Sequence, residues 1–353
     1  MAMAYKLGII GYGGIGTWHH KSLQKFVEEI EVVCAYDIRP EVKEIAINHG
    51  IQFCNSLDEL LQDETIDIVT IATPNNFHKD LAIKCLKSGK HVICEKPVTM
   101  NAEELKEIMI VAKEGGKLFS IHQNRRWDET YLILKKIVED GTIGKPYYIE
   151  SRVQGSRRSL HGWRGYKENG GGMVYDWGVH LIDQLLDLVD SPVVSLEAHL
   201  FSIFSKEVDD NFKVLMRFEN GLSALVEIAT NCFITQPRFH MSCTDGTAII
   251  ENWDCDGKIV KLSCDETMEW DNDIVYTSAG PTRTMAPRPV HTTEELPLPK
   301  VEANWSAYYK NIVAAIEGTE ELIVTPEQGL RVMTVIDRIF ESERTGLPIK
   351  CRI

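Results

Sequence analysis

Residues 6–16 read KLGIIGYGGIG, an apolar run that ends at glycines 11, 13 and 16. Glycines at this spacing let a backbone leave a strand, turn tightly and begin a helix close to a pyrophosphate, whose charge the helix N-terminus stabilises. The spacing alone arises by chance in glycine-rich turns, so its surroundings decide. Leu7 to Ile10 is apolar enough for a buried parallel strand, residues 15 to 28 predict a helix, and Glu31 to Tyr36 predicts a second strand ending in Asp37. An acidic residue about twenty positions after the glycines accepts from a ribose 2'-hydroxyl, which points to NAD. Arg39, two residues on, suits a 2'-phosphate instead, so NADP stays the less favoured alternative.

The 353 residues exceed what one core usually supports, and two domains are expected. Hydrophobic residues make up 44% and charged residues 25%, with no apolar run long enough for a membrane span and no signal-peptide pattern at the N-terminus. A cytoplasmic protein without membrane partners is expected. A net charge of -14 repels a phosphate backbone and argues against nucleic acid. Arg157, Arg158, His161 and Arg164 form a local basic group, too short for a duplex but suited to a small polar or anionic ligand. The nine cysteines, at 34, 54, 85, 94, 232, 243, 255, 264 and 351, include no C-x-x-C pair. They read as reduced thiols, with no disulfide framework and no metal site.

Residues 40 to 49 predict a helix ended by Gly50, and Ser56 a cap for a short helix through Leu61. Asp67 to Ala72 is a buried strand that ends at Thr73-Pro74-Asn75-Asn76-Phe77-His78, where Pro74 stops the strand and Asn76 can cap the helix carrying Leu81 to Leu86. Strand ends of this kind face the ligand crevice of a doubly wound sheet. His78 is either a crevice residue or a packed histidine. Lys90 to Cys94 delivers Glu95-Lys96-Pro97 to the same edge, before an Asn101-capped helix and a strand at Leu118 to His122. The alternation over residues 5 to 123 predicts a parallel sheet flanked by helices.

Beyond Gln123 the pattern changes. A helix over 126 to 139 is followed by an alternating strand over Tyr147 to Gln154. Gly170-Gly171-Gly172 precedes a helical period from Met173 to Val189, on which Asp176 and His180, four apart, share one face directed into the space left by the glycines. Val193 to Leu262 holds five or six short alternating runs, read as an antiparallel sheet. Asp265 to Lys300 reads as a surface loop, with helices at 302 to 317 and 326 to 344. The free face of such a sheet is economically covered by a second copy, so a homodimer or homotetramer is expected.

With GYGGIG at 11 to 16, ATPNNFH at 72 to 78, EKP at 95 to 97 and GGGMVYDWGVHLID at 170 to 183, nearly the whole chain resembles the glucose-fructose oxidoreductase and inositol dehydrogenase (Gfo/Idh/MocA) family. The resemblance implies an α/β Rossmann domain with a doubly wound parallel sheet, here residues 1–123. It also implies an α+β domain on a large open antiparallel sheet, here 124–353, for substrate and oligomerisation. The implied activity is hydride transfer between NAD and a secondary hydroxyl of a sugar, cyclitol or glycoside. Two alternatives stay open: an enzyme that retains NAD and cleaves a glycoside by transient oxidation, and a non-catalytic ligand sensor.

The candidate cofactor contacts are Gly11, Gly13, Gly14, Ile15, Asp37, Arg39, Thr73, Pro74, Asn75, His78, Glu95, Lys96, Gln123, Trp163 and Arg164. The candidate substrate contacts are Lys96, Arg152, Tyr175, Asp176 and His180. Among these Lys96, Asp176 and His180 are the candidate catalytic residues. His180 has the unperturbed pKa closest to that of a base for the hydroxyl proton, Lys96 a charge for the developing alkoxide, and Asp176 a carboxylate to orient substrate or imidazole.

Overall fold

All four residues of the strand Ile68–Ile71 are buried, as a parallel strand covered on both faces must be. The structure, a computed structural model, describes residues 4–263, 274–283 and 288–353. Its first half runs β1 (Tyr5–Ile10), α1 (Gly14–Phe26), β2 (Ile30–Tyr36), α2 (Val42–Asn48), β3 (Gln52–Phe53), α3 (Leu57–Gln62), β4 (Ile68–Ile71), α4 (His78–Lys87), β5 (His91–Cys94), α5 (Ala102–Gly115) and β6 (Phe119–Ile121). The strands form one six-stranded parallel sheet in the order β3-β2-β1-β4-β5-β6. The order in which strands are added reverses between β1 and β4, which opens a crevice at the carboxyl ends of these two parallel strands.

Local side-chain caps set the starts of two of these helices. Ser56 accepts the Glu59 N–H at α3, and Asn101 accepts the Glu104 N–H at α5. Asn76 does not cap α4. A 3-10 turn over Asn75–Phe77, closed by the Phe77 N–H on the Pro74 carbonyl, uses these amides before α4 begins at His78.

The second half runs α6 (Glu129–Glu139), β7 (Pro146–Gln154), α7 (Val179–Leu188), β8 (Val193–Phe201), β9 (Asn211–Phe218), β10 (Ser223–Ala229), β11 (Phe239–Cys243), β12 (Gly246–Ile250), β13 (Gly257–Leu262), β14 (Ile274–Thr277), β15 (Gly280–Arg283), β16 (Thr293–Leu296), α8 (Ser306–Ile316), α9 (Pro326–Thr345) and β17 (Ile349–Lys350). Nine strands form a sheet in the order β16-β13-β12-β11-β7-β10-β9-β8-β17. Every neighbouring pair is antiparallel except β7 with β10, because β7 slots between two strands that follow it much later in the chain. The stretch expected to be a loop contributes a β14–β15 hairpin and the edge strand β16. Residues 264–273 and 284–287, including Cys264, lie outside the described residues. The other eight cysteines carry free thiols.

Alternation on β9 buries Phe212, Val214, Met216 and Phe218 and exposes Lys213, Leu215 and Arg217. The buried side packs beneath α7 and α9. The two halves are joined by buried polar bonds, among them the Ser120 hydroxyl in β6 donating to the Val324 carbonyl at 3.0 Å, and an ion pair braces the start of the second half. Arg126, just after β6, donates from Nε and Nη2 to Asp183 on α7 at 2.7 and 2.6 Å, both side chains being buried. α9, started by a capping box of Thr325 and Gln328, lies so close to β6 that a Cβ on Gly329 would stand 2.0 Å from Ile121 Cδ1.

Candidate active site

The glycine turn has the geometry that the sequence demands. Gly11 sits at φ +90°, and a Cβ there would lie 2.6 Å from the Ala72 carbonyl oxygen, so only glycine lets β1 and the end of β4 meet. α1 starts behind Gly13 with no side-chain cap, and its first intrahelical bond is Thr17 N–H to the Gly13 carbonyl. The N–H groups of Gly14, Ile15 and Gly16, in the first turn of α1, thus have no partner among the described residues and are open to an anion. A Cβ on Gly14 would meet nothing within 4 Å. These features fit a dinucleotide pyrophosphate.

At the end of β2, Asp37 accepts the Tyr12 N–H at 2.9 Å. Its two oxygens also take the Arg39 guanidinium at 3.0 and 2.9 Å. Burial pushes this carboxyl up, but the Arg39 bonds and charge outweigh it and hold it below its ordinary value. Asp37 and Arg39 thus present a paired acid and base where a ribose would sit.

A cavity of about 560 Å³ lies between the halves. Ile15, Thr73, Asn75, Glu95 and Lys96 line it from the first sheet, and Trp163, Arg164, Asp176 and His180 from the second half. Lys96 Nζ donates to the Asp176 carbonyl at 2.8 Å and to its Oδ1 at 3.1 Å, and Arg164 Nε donates to the same Oδ1 at 3.1 Å. Burial raises the Asp176 carboxyl, yet Lys96 and then Arg164 outweigh it and keep the carboxyl below the usual range. His180 is buried, and its Nδ1 has no hydrogen-bond partner among the described residues. Burial first, then Lys96 and Arg125, hold its pKa well below 6.5, so the imidazole is neutral.

Asp176 does not bond His180. Val174–Gly178 is a π turn that only then becomes the α-helix α7, and the widened turn spends the Asp176 carboxylate on Lys96 and Arg164. The glycines leave no empty space either. A Cβ on Gly170 would stand 2.5 Å from Met100 sulfur and 2.9 Å from Asn75 Cβ, and the Gly170 carbonyl accepts from Asn75 Nδ2 at 2.8 Å. They are packing residues that bring the π turn against the cofactor edge.

Four candidate site residues lie off the cavity wall. Arg152 is on the opposite side of β7 from the cavity residue Val153, bonded to Glu227 at 3.1 Å and Glu150 at 2.6 Å. The Tyr175 hydroxyl donates to the Met100 carbonyl at 2.5 Å, and its ring lies 5.2 Å from Phe340. His78 is buried between the carbonyls of Pro97 and Thr73, at 2.8 and 2.9 Å, where it ties two loops together and has no open edge. Gln123 is buried off the cavity wall, its Oε1 without a partner among the described residues. Pro74 serves as the N-cap of the 3-10 turn.

Glu95 has a partner set that sequence reading did not find. Its Oε1 accepts from His19 Nε2 and His122 Nδ1, each at 2.8 Å, while Oε2 accepts the Lys96 N–H at 3.1 Å. Burial opposes ionisation, but the two imidazoles outweigh it and hold the carboxyl well below the usual range. The three ligating atoms lie within 4.8 Å of one another, a spacing a metal could use. Hydrogen bonds account for both nitrogens of His19, the second through the Tyr309 hydroxyl, whereas His122 Nε2 is buried without a partner among the described residues. Arg125 and Trp177, which the sequence did not single out, also line the cavity, as does Arg157 of the basic group at 157–164. Trp177 lies inside the quoted stretch 170–183, while no quoted motif marks Arg125.

The family model described as an oxidoreductase family with an NAD-binding Rossmann fold matches residues 5–123, and the GFO/IDH/MocA C-terminal domain model matches residues 131–249. The scyllo-inositol 2-dehydrogenase (NADP(+)) IolW of Bacillus subtilis is 27% identical over 343 residues, 96% of this chain and 94% of that protein. A scyllo-inositol 2-dehydrogenase (NAD(+)) of the same organism is 29% identical over 255 residues, covering 69% and 73%. A solved structure of an NAD-binding protein from Listeria innocua superposes with TM-score 0.94 at 44% identity over 99% of both chains.

Proposed function

Because the chain belongs to the GFO/IDH/MocA oxidoreductase family, we propose that it oxidises a secondary hydroxyl of a sugar, cyclitol or glycoside with NAD as acceptor. The observation that carries this reading is the convergence of Lys96, Asp176 and His180 on the cavity that Ile15, beside the glycine turn, also lines. The bound nicotinamide supplies the hydride acceptor. Everything else falls to the chain. His180, neutral and with Nδ1 buried, takes the hydroxyl proton on Nε2. Lys96 Nζ, fixed by the Asp176 carbonyl and carboxylate, stabilises the negative charge that grows on the substrate oxygen. Asp176 keeps Lys96 in place and offers its second oxygen to a neighbouring hydroxyl.

NAD is preferred to NADP because Asp37 accepts from a 2'-hydroxyl and repels a 2'-phosphate. The relatives include an NADP and an NAD enzyme, and the Arg39 pairing is the counterweight. A panel of sugars and cyclitols followed by NADH absorbance tests the reading. Stoichiometric NADH with ketone product is expected, whereas product without NADH accumulation would point to retained-cofactor glycoside chemistry.

A further inference from the structure

Four cations, Lys96, Arg125, Arg157 and Arg164, line the cavity against two carboxylates, Glu95 and Asp176, in a chain of net charge -14. Both carboxylates are committed. Asp176 serves Lys96 and Arg164, and Glu95 serves His19 and His122. Two guanidiniums remain under-compensated. Among the described residues the one carboxylate that Arg125 reaches is Asp128, at 3.2 and 3.4 Å, and it shares that carboxylate with Arg238 at 3.7 Å. Its Nε is buried without an acceptor among the described residues, and its guanidinium lies 4.9 Å from the Trp177 ring centre, next to His180.

Arg157 is exposed at the cavity wall and has no carboxylate partner among the described residues. Arg158 takes no part: it bonds Asn231 at 2.9 Å and lies over Phe204 and Phe233.

A concave site with surplus positive charge on partly dehydrated walls concentrates anions. The dinucleotide pyrophosphate already has its place at the glycine turn and the free amides of α1, so it does not account for this charge. We propose that the substrate carries a carboxylate or phosphate in addition to the hydroxyl that is oxidised, and that Arg125 and Arg157 hold this anionic group. The proposal rests on the hydroxyl-oxidising reading above. Planar guanidiniums bind such groups through paired, charge-assisted hydrogen bonds, which would fix the ring relative to His180.

The test uses matched probes on the full chain: glucose, glucuronate and glucose 6-phosphate, and myo-inositol with its monophosphate. Turnover is followed by NADH formation, and binding to the NADH-loaded protein by calorimetry. Charged members should exceed their neutral parents at least about tenfold in kcat/KM, and R157A and R125Q should each remove most of that advantage. NADH affinity should stay unchanged in R157A, and a loss there would assign Arg157 to the cofactor and overturn the proposal. The carboxylate and phosphate arms identify which anion is held. Neutral members oxidised as well as charged ones would sink the proposal and leave the dehydrogenase reading standing. Charge-dependent binding lost in R157A, without any oxidation, would sustain the anion site and sink that reading. The absence of both oxidation and charge-dependent binding would overturn the anion site.

Discussion

Lys96 Nζ bonds two acceptors of one residue, the main-chain carbonyl and the carboxylate of Asp176, and so ties the turn after β5 to the π turn before α7. Lys96→Ala should therefore lower kcat by on the order of a hundredfold, the roughly 3 kcal/mol typical of removing a charge that stabilises a developing oxyanion. Steady-state kinetics decide it. Unchanged turnover would reduce Lys96 to a bridge between the halves.

For His180→Asn, kcat should fall on the order of a hundredfold, the usual weight of a general base. Because burial, Lys96 and Arg125 depress the His180 pKa, the acidic limb of the parent's kcat profile should lie below pH 6.5. The variant should lack that limb. A profile of the same shape with turnover within about threefold would move proton removal to another group.

Cofactor choice should respond in opposite directions to the paired residues at the end of β2. Asp37→Ala should raise the kcat/KM ratio of NADP to NAD, and Arg39→Ala should lower it, each by roughly tenfold, the scale of one hydrogen bond to a charged group. Shifts of the same sign in both variants would contradict the roles given to the pair.

Asp209 accepts the Val174 N–H at 2.8 Å at the start of the π turn, and burial pushes its carboxyl up to about 7 from 3.8. With the folded pKa above the unfolded one, the stabilisation is complete below pH 3.8 and is lost as pH rises towards 7. Asp209→Asn keeps an acceptor for Val174 and removes the titration. Urea unfolding at about pH 5 and pH 8 should show the parent losing stability relative to the variant as pH rises, by at most roughly 4 kcal/mol over the whole span. A pH-independent difference between the two proteins would refute this role.

The outer face of the second sheet carries Lys213, Leu215 and Arg217, with Leu215 40% exposed beside the Arg152–Glu227 pair. A second copy covering this face should appear in light scattering as a dimer or tetramer. Leu215→Lys should weaken it, and a monomer at micromolar concentration would leave the face to solvent.

What could be read in the sequence is what local rules encode. The glycine turn, the Ser56 and Asn101 caps and the strand ends at Thr73 and Glu95 follow from spacing and composition within a few residues. Pairings between distant positions leave no such periodic mark. Arg126 meets Asp183 across 57 positions and His19 meets Glu95 across 76. Arg152 and Tyr175 were misplaced for a related reason: both sit near cavity residues in sequence, and strand alternation or the π turn directs each elsewhere. The parallel β7–β10 pair was hidden because it joins strands far apart in the chain, with Tyr148 opposite Ser223.

The Tyr308 hydroxyl donates to Ser120 in β6, Tyr309 reaches His19 in α1, and Asp337 accepts the Ala102 N–H at the start of α5. Three elements of the nucleotide-binding half thus have partners that a ribosome synthesises some two hundred residues or more after them. During translation this half emerges with the edge strand β6 uncovered and the histidine–glutamate group unfinished, and α8 and α9 act as a late-arriving clasp. The first half is thus completed by the last part of the chain, and shortening the chain before residue 306 would leave the first sheet without its final wall.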